Sequence, residues 1–414
     1  VPKPTLRAAA LAVLLAAPLS AQRVDVHAQP PRPSLWAGAD SNSAAAYYTA
    51  GVQRIDSDPA GAAAAFYWAE RLHPGWADAL YGRRVALLLQ LSEERYMRYM
   101  EGQRSVTRAA DIMAIDSLYV RALTADPFLY RKFEQQMFRR YWHAVFADDA
   151  RRNGEQPNAA LFNEWINSYL HDIDPDVRGY VAYSEGKWAD AQQWLERAAQ
   201  RAGHHRSRVR SDLARVLYME GDRQRSAEVM TQAIADMRSE DARDLVFVYE
   251  SKAVLEHSVA TAREELGDHA AAREAYGRAL QEDIAFYPAH QALGKLALAA
   301  GDTAAAVAEL ALAAQIAEGD GGVAYDYANL LANTGKVAEA LPELERAVRL
   351  DPYYAAPHLL LARIYEASGM RTEAVQHYHD FAARAAHDDP GLDYANRRAA
   401  ELEAALHAEA GNGR

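Results

Sequence analysis

An all-α solenoid is the fold class this sequence predicts, and two observations carry the prediction. In the C-terminal half, Gly267, Gly301, Gly335 and Gly369 stand thirty-four residues apart. Around them small residues recur in register. Ala272, Ala306, Ala340 and Ala374 follow five positions on, and Ala260, Gly294, Ala328 and Ala362 lie seven positions before. A strict period in this range marks stacked supersecondary units, each burying its apolar face on the next.

Each unit reads as two helices with the glycine in the turn between them. Ala289 to Ala300 has helical apolar spacing, Gly301-Asp302 breaks it, and a second helix is expected from Thr303 to Ala317. The next unit repeats this with Tyr325 to Asn333 and Val337 to Leu350, closed by Asp351-Pro352, where proline cannot continue the helix. Helices approach closely only where side chains at the crossing are short, which gives the alanines a packing reason. Tyr276, Leu310, Leu344 and Tyr378 are expected to fill the gaps between them.

This pattern resembles the tetratricopeptide repeat (TPR). Leu293-Gly294, Gly301, Ala306, Leu310 and Ala313 fit the unit, as do Ala328, Leu331, Gly335, Ala340, Leu344, Ala347 and Pro352. Upstream, Gly179, Ala182, Gly186, Ala191, Leu195 and Ala198 make one unit. Ala214, Leu217, Gly221, Met230 and Ala233 make another, with Ser226 in place of the small alanine. Gly221 to Gly267 exceeds one period, and Asp241 to Glu265 is expected to absorb the excess as a longer first helix. Near the N-terminus, Ala62, Phe66, Ala69 and Pro74 fit a second helix, and Gly82 and Val85 fit the following first helix. The resemblance implies a right-handed TPR superhelix whose first helices line a concave groove, and a scaffold for protein–protein interaction.

The expected organisation is a signal peptide over 1–28, a flexible leader over 29–43, degenerate TPR helices over 44–90, an off-consensus aromatic helical segment over 91–172, the TPR array over 173–389 and a capping helix over 390–410. Lys3 and Arg7 precede the apolar run Ala8 to Ala17, with small-residue cleavage sites after Ala21 or Ala28. Such a start predicts a periplasmic or secreted bacterial protein without stable membrane insertion after cleavage. Asp126-Pro127 and Gln156-Pro157 are expected to start helices within the aromatic segment.

Composition narrows the function classes. There are no cysteines, which removes disulfides, thiolate metal sites and cysteine nucleophiles. The net charge of −12 argues against nucleic acid, because no excess of Lys and Arg exists to neutralise phosphates. No HExxH, G-x-S-x-G, P-loop or dinucleotide fingerprint occurs. Glu373 and His377 are one helical turn apart and read as an exposed pair rather than metal ligands. The expectation is therefore a non-enzyme without metal or cofactor. A catalytic centre in 91–172 is the minor alternative.

The family's register implies where a partner would lie. Its groove-facing row falls here on Tyr180, Arg215, Thr261, Lys295, Asn329 and Arg363, with Tyr183, Tyr218, Glu264 and Glu366 on the same side; the candidate partner-binding set drawn from it is Tyr180, Tyr183, Arg215, Tyr218, Lys295, Asn329 and Arg363, with Tyr325. A basic and amide ladder in an acidic protein suits an extended acidic peptide or a free C-terminus; the plainer reading is that Lys295 and Arg363 merely solvate the groove. The set departs from the carboxylate clamp of chaperone-binding TPR domains, since Tyr325 stands one turn before Asn329. The alternative function is structural, with solenoids self-associating into oligomers or fibres.

Overall fold

The structure is a computed structural model that describes residues 26, 28–91, 96, 110–172, 174–201, 206–242 and 251–412. The expected signal segment lies almost wholly outside the described residues. Nineteen helices and no strands occur among the described residues, making an α-solenoid. Helices α1 (Ala44–Arg54), α2 (Pro59–Leu72) and α3 (Ala77–Leu89) open the chain, followed by α4 (Ala110–Ala125), α5 (Glu134–Arg152) and α6 (Ala159–Asp172). Six hairpins then stack in order: α7 (Pro175–Ser184) with α8 (Trp188–Gln200), α9 (Arg206–Glu220) with α10 (Arg223–Asp241), and α11 (Lys252–Glu265) with α12 (His269–Glu282). The remaining three are α13 (Tyr287–Ala299) with α14 (Thr303–Ile316), α15 (Gly321–Asn333) with α16 (Val337–Leu350), and α17 (Ala356–Ala367) with α18 (Arg371–Ala382). Helix α19 (Leu392–Asn412) packs on α18 through Ala395, Ala399 and Leu402.

The hairpin turn repeats one piece of chemistry. At Gly301 φ is +82°, a left-handed value that any side chain would strain. Its amide donates to Leu298 O at 2.9 Å, and the Asp302 amide to Ala297 O at 2.9 Å, closing the carbonyl end of α13. The Asp302 carboxylate then accepts from Ala305 N at 3.0 Å and caps α14. Asp222 and Asp268 cap α10 and α12 in the same way.

Packing follows the small residues. Ala260, Ala272, Ala306, Ala328, Ala340, Ala362 and Ala374 are all fully buried. A Cβ added at Gly294 would meet Leu310 Cγ at 3.0 Å and Ala306 O at 3.3 Å, so α13 and α14 touch almost backbone to backbone. Ser226 also fits: it is buried, and its hydroxyl donates to Ala214 O at 2.7 Å.

Three sequence expectations change. Within the described residues, part of the excess between Gly221 and Gly267 lengthens α10, the second helix of its hairpin; α11 begins at Lys252, and 243–250 of the expected longer first helix lie outside the described residues. Asp126-Pro127 ends α4 instead of starting a helix, because the Asp126 carboxylate accepts from Phe128 N at 2.8 Å and holds a turn. The 29–43 stretch, expected as a flexible leader, is an irregular strap tied to the body. Trp68 Nε1 donates to Pro30 O at 3.0 Å, and the Arg32 guanidinium lies 4.4 Å from the Trp68 ring centre.

The two ends of the described chain meet. Asn42 Nδ2 donates to Ala383 O at 3.0 Å, and His387 N donates to the Asp40 carboxylate at 2.6 Å. Arg71 of α2 pairs with Asp351 after α16 at 2.5 Å, and Trp68 meets Tyr353 edge-on with centroids 4.8 Å apart. The array thus closes upon its own N-terminal helices.

Candidate functional site

The inner side of the array is divided into a filled part and an open part. Residues 128–131, between α4 and α5, fill the first. Arg131 forms an ion pair with Asp212 of α9, and both side chains are buried. Its guanidinium lies 4.9 Å from the Tyr180 ring centre and 5.2 Å from that of Tyr183. Arg215 stands 3.7 Å from Asp212 and donates to Ser211 Oγ at 2.9 Å. The Tyr183 hydroxyl donates to Leu129 O at 3.1 Å, and the Tyr130 hydroxyl to Ser184 O at 3.1 Å. The Phe128 ring stacks on Tyr218 with centroids 3.6 Å apart, and the Arg223 guanidinium sits 3.8 Å from the Tyr218 ring centre. Burial pushes the Tyr180 and Tyr183 phenols up.

Half of the expected groove set is therefore brought together, but against the chain itself. Tyr180, Tyr183, Arg215 and Tyr218 form the seat of residues 128–131, and Tyr183 and Arg215 have no exposed surface. A repeat register does not say what covers them. Of the other half, Lys295 and Arg363 are exposed, while Tyr325 and Asn329 are half-buried. Tyr325 meets Tyr354 edge-on at 5.4 Å, and Asn329 accepts from Asn333 at 3.2 Å.

The open part is a cavity of about 570 Å³. It is lined by the 73–75 turn before α3, by residues 124–127 at the end of α4, by residues of α11, α13 and α15, and by Tyr276 and Tyr354. Four carboxylates border it, on Asp126, Glu264, Asp320 and Asp326, against the ammonium of Lys295. Burial pushes the Asp126 and Asp326 carboxyls above their usual value. Asp326 accepts from Gln291 Nε2 at 3.2 Å, and Glu264 from the Tyr276 hydroxyl at 2.8 Å. Asp320 caps α15 through the amides of Gly322 and Val323. His257 is buried, which lowers its pKa to about 4 and keeps the ring neutral. Its Nδ1 has no hydrogen-bond partner among the described residues.

Sequence reasoning missed Asp126, His257 and Asp326. The register marks fixed positions on the first helices, and nothing in a period says that loops from outside the array complete a cavity.

One other cluster has ligand-like spacing. His358, His377 and Asp380 place their donor atoms within 4.8 Å of one another, with the two Nδ1 atoms 3.1 Å apart. His377 thus faces His358 and not Glu373. Asp380 is already engaged by Arg384 at 2.7 Å, a charge that opposes a bound cation. His290 and Glu309 fill the same two repeat positions two repeats earlier, 2.7 Å apart, so the contact is a packing feature of the hairpin.

Fold and site together define an α-solenoid scaffold, a class built for contact with other proteins. Residues 321–364, spanning α15, α16 and most of α17, match the tetratricopeptide-repeat family. No curated protein matches the chain's sequence. Among solved structures it is similar to MamA, at 20% identity and TM-score 0.33, over 42% of this chain and 90% of that one. It is also similar to YrrB, described as a TPR protein with an unusual peptide-binding site, at 16% identity and TM-score 0.37, over 49% of this chain and 97% of YrrB. A third is the C-terminal part of a TPR repeat-containing protein from Cytophaga hutchinsonii, at 13% identity and TM-score 0.41, over 50% of this chain and 78% of that one. Likenesses of this degree bear on no function.

Proposed function

We propose that the protein is an exported TPR scaffold that recruits a partner protein through the open part of its inner side. The carrying observation is the cavity between the loops at 73–75 and 124–127 and the first helices α11, α13 and α15. Beside it, α7 and α9 are occupied by the chain's own Phe128 to Arg131. The reading assigns binding rather than catalysis. The acidic peptide expected from the Lys295 and Arg363 ladder fits poorly, because carboxylates outnumber Lys295 at the cavity.

Export rests on the Lys3 and Arg7 start and the apolar run that follows. Of the two cleavage positions, that after Ala21 agrees better with the fold. Val26 is buried, and its carbonyl accepts from the buried Arg83 at 2.5 Å, a bond that cleavage after Ala28 removes.

The test is site-specific photo-cross-linking in a bacterial envelope, with the cross-linker at Lys295 or, as control, at the exposed Arg273 of α12. Position 295 should capture one discrete protein that position 273 does not, and the recovered chain should have the mass of one beginning at Gln22. No capture, or equal capture from both positions, would overturn the partner site. A mass retaining Val1 to Ala21 would overturn cleaved export.

A further inference from the structure

We infer that the interior cavity recognises an organic cation, an amine or guanidinium of the kind carried by lysine and arginine side chains. This deepens the partner-site reading above and rests on it.

The cavity has a surplus of acceptors and an unmet demand for positive charge. Asp126 arrives from the loop after α4 and Asp326 from α15, so carboxylates from two distant parts of the sequence line one cavity. Asp126 holds a backbone amide and Asp326 a side-chain amide; neither is in ion-pair contact among the described residues, and Arg215 and Lys295 attract them only from a distance that does not offset their burial. Carboxylates withdrawn from water without a cationic partner are costly. A ligand cation would supply the missing charge through charge-assisted hydrogen bonds, which are stronger than neutral ones.

His257 also lines the cavity and is 8% exposed. Burial keeps its ring neutral, so it adds no second positive charge beside Lys295 that would repel a cation. Tyr276, Tyr287 and Tyr354 supply aromatic walls, which attract cations through the negative faces of their rings. The volume of about 570 Å³ lies within the range of ligand sites and exceeds what one side chain needs. An anionic ligand would meet four carboxylates for one Lys295.

The experiment is calorimetric titration of the purified chain with three probes: a blocked lysine-containing tripeptide, a short aliphatic diamine and a blocked glutamate-containing tripeptide. At least one cationic probe should bind, and the glutamate peptide should not. Binding of the lysine peptide alone identifies a peptide side chain as the source, and binding of the diamine identifies a free amine. Asp326→Asn keeps shape and removes charge, so it should weaken the cationic probe about tenfold or more, the scale of one hydrogen bond to a charged group. Asp126→Asn carries the same test should Asp326→Asn fail to fold. Failure of both cationic probes, tighter binding of the glutamate peptide, or unchanged affinity in folded Asn variants would overturn the inference. If the probes fail while position 295 still cross-links, the partner site stands and only its chemistry falls. If the probes bind and cross-linking fails, the protein-partner reading falls instead.

Discussion

Ala340 shows how much one residue decides. It is fully buried where α16 crosses α15, and Leu344, also buried, lies one turn on. Ala340→Phe would force a ring into a contact with no free space, at a cost of about 1–3 kcal/mol. A thermal melt should show a clear downward shift, and an unchanged melt would place the residue outside the crossing. Ala340 was legible because the period fixes its place. Arg131 was not. It sits in an off-consensus loop, and its partner Asp212 lies on a helix face that the pattern marks only as inward. The same blindness put Tyr183 and Arg215 in an open groove. A repeat register states direction, while coverage depends on chain from elsewhere in the sequence.

At the scale of elements, helix pairs and turns were legible and the joints between dissimilar parts were not. The Gly301-Asp302 turn follows from the chemistry of two residues. The strap at 29–43 and the contact of α2 with the end of α16 have no local signature. That contact carries a titratable group. Burial pushes the Asp351 carboxyl up to about 6, outweighing the attraction of Arg71, with Glu70 and Asp320 adding to the rise. The unfolded carboxyl titrates near pH ~4. A raised folded pKa means the native state binds more protons between these values, so this residue's contribution to stability is greatest below pH ~4 and is lost as pH rises through about 6. Across that window, Asp351→Asn should flatten the fall of stability with rising pH seen in the parent chain. Parallel pH profiles for the two proteins would show that Asp351 titrates normally.

The whole molecule combines a periodic array with its own filling. Open repeat arrays leave the concave side to partners, but here the N-terminal helices close against the last repeats and residues 128–131 occupy the first inner stretch. The all-α solenoid class was plain from thirty-four-residue spacing. Closure was hidden, because contacts such as Asn42 with Ala383 join residues at opposite ends of the sequence. The interior cavity is what closure leaves over. The claim that the chain fills its own inner side is tested most directly by a double-mutant cycle on Arg131 and Asp212, read by denaturant unfolding. Arg131→Met and Asp212→Asn should each destabilise by about 3–5 kcal/mol, since the first leaves the buried Asp212 only its longer contact with Arg215 and the second takes the carboxylate from both buried arginines. The double variant should recover part of that loss, with a coupling energy of about 0.5–3 kcal/mol. Small single effects that simply add would mean that the two charges do not meet, and that the inner side is open where this structure has it filled.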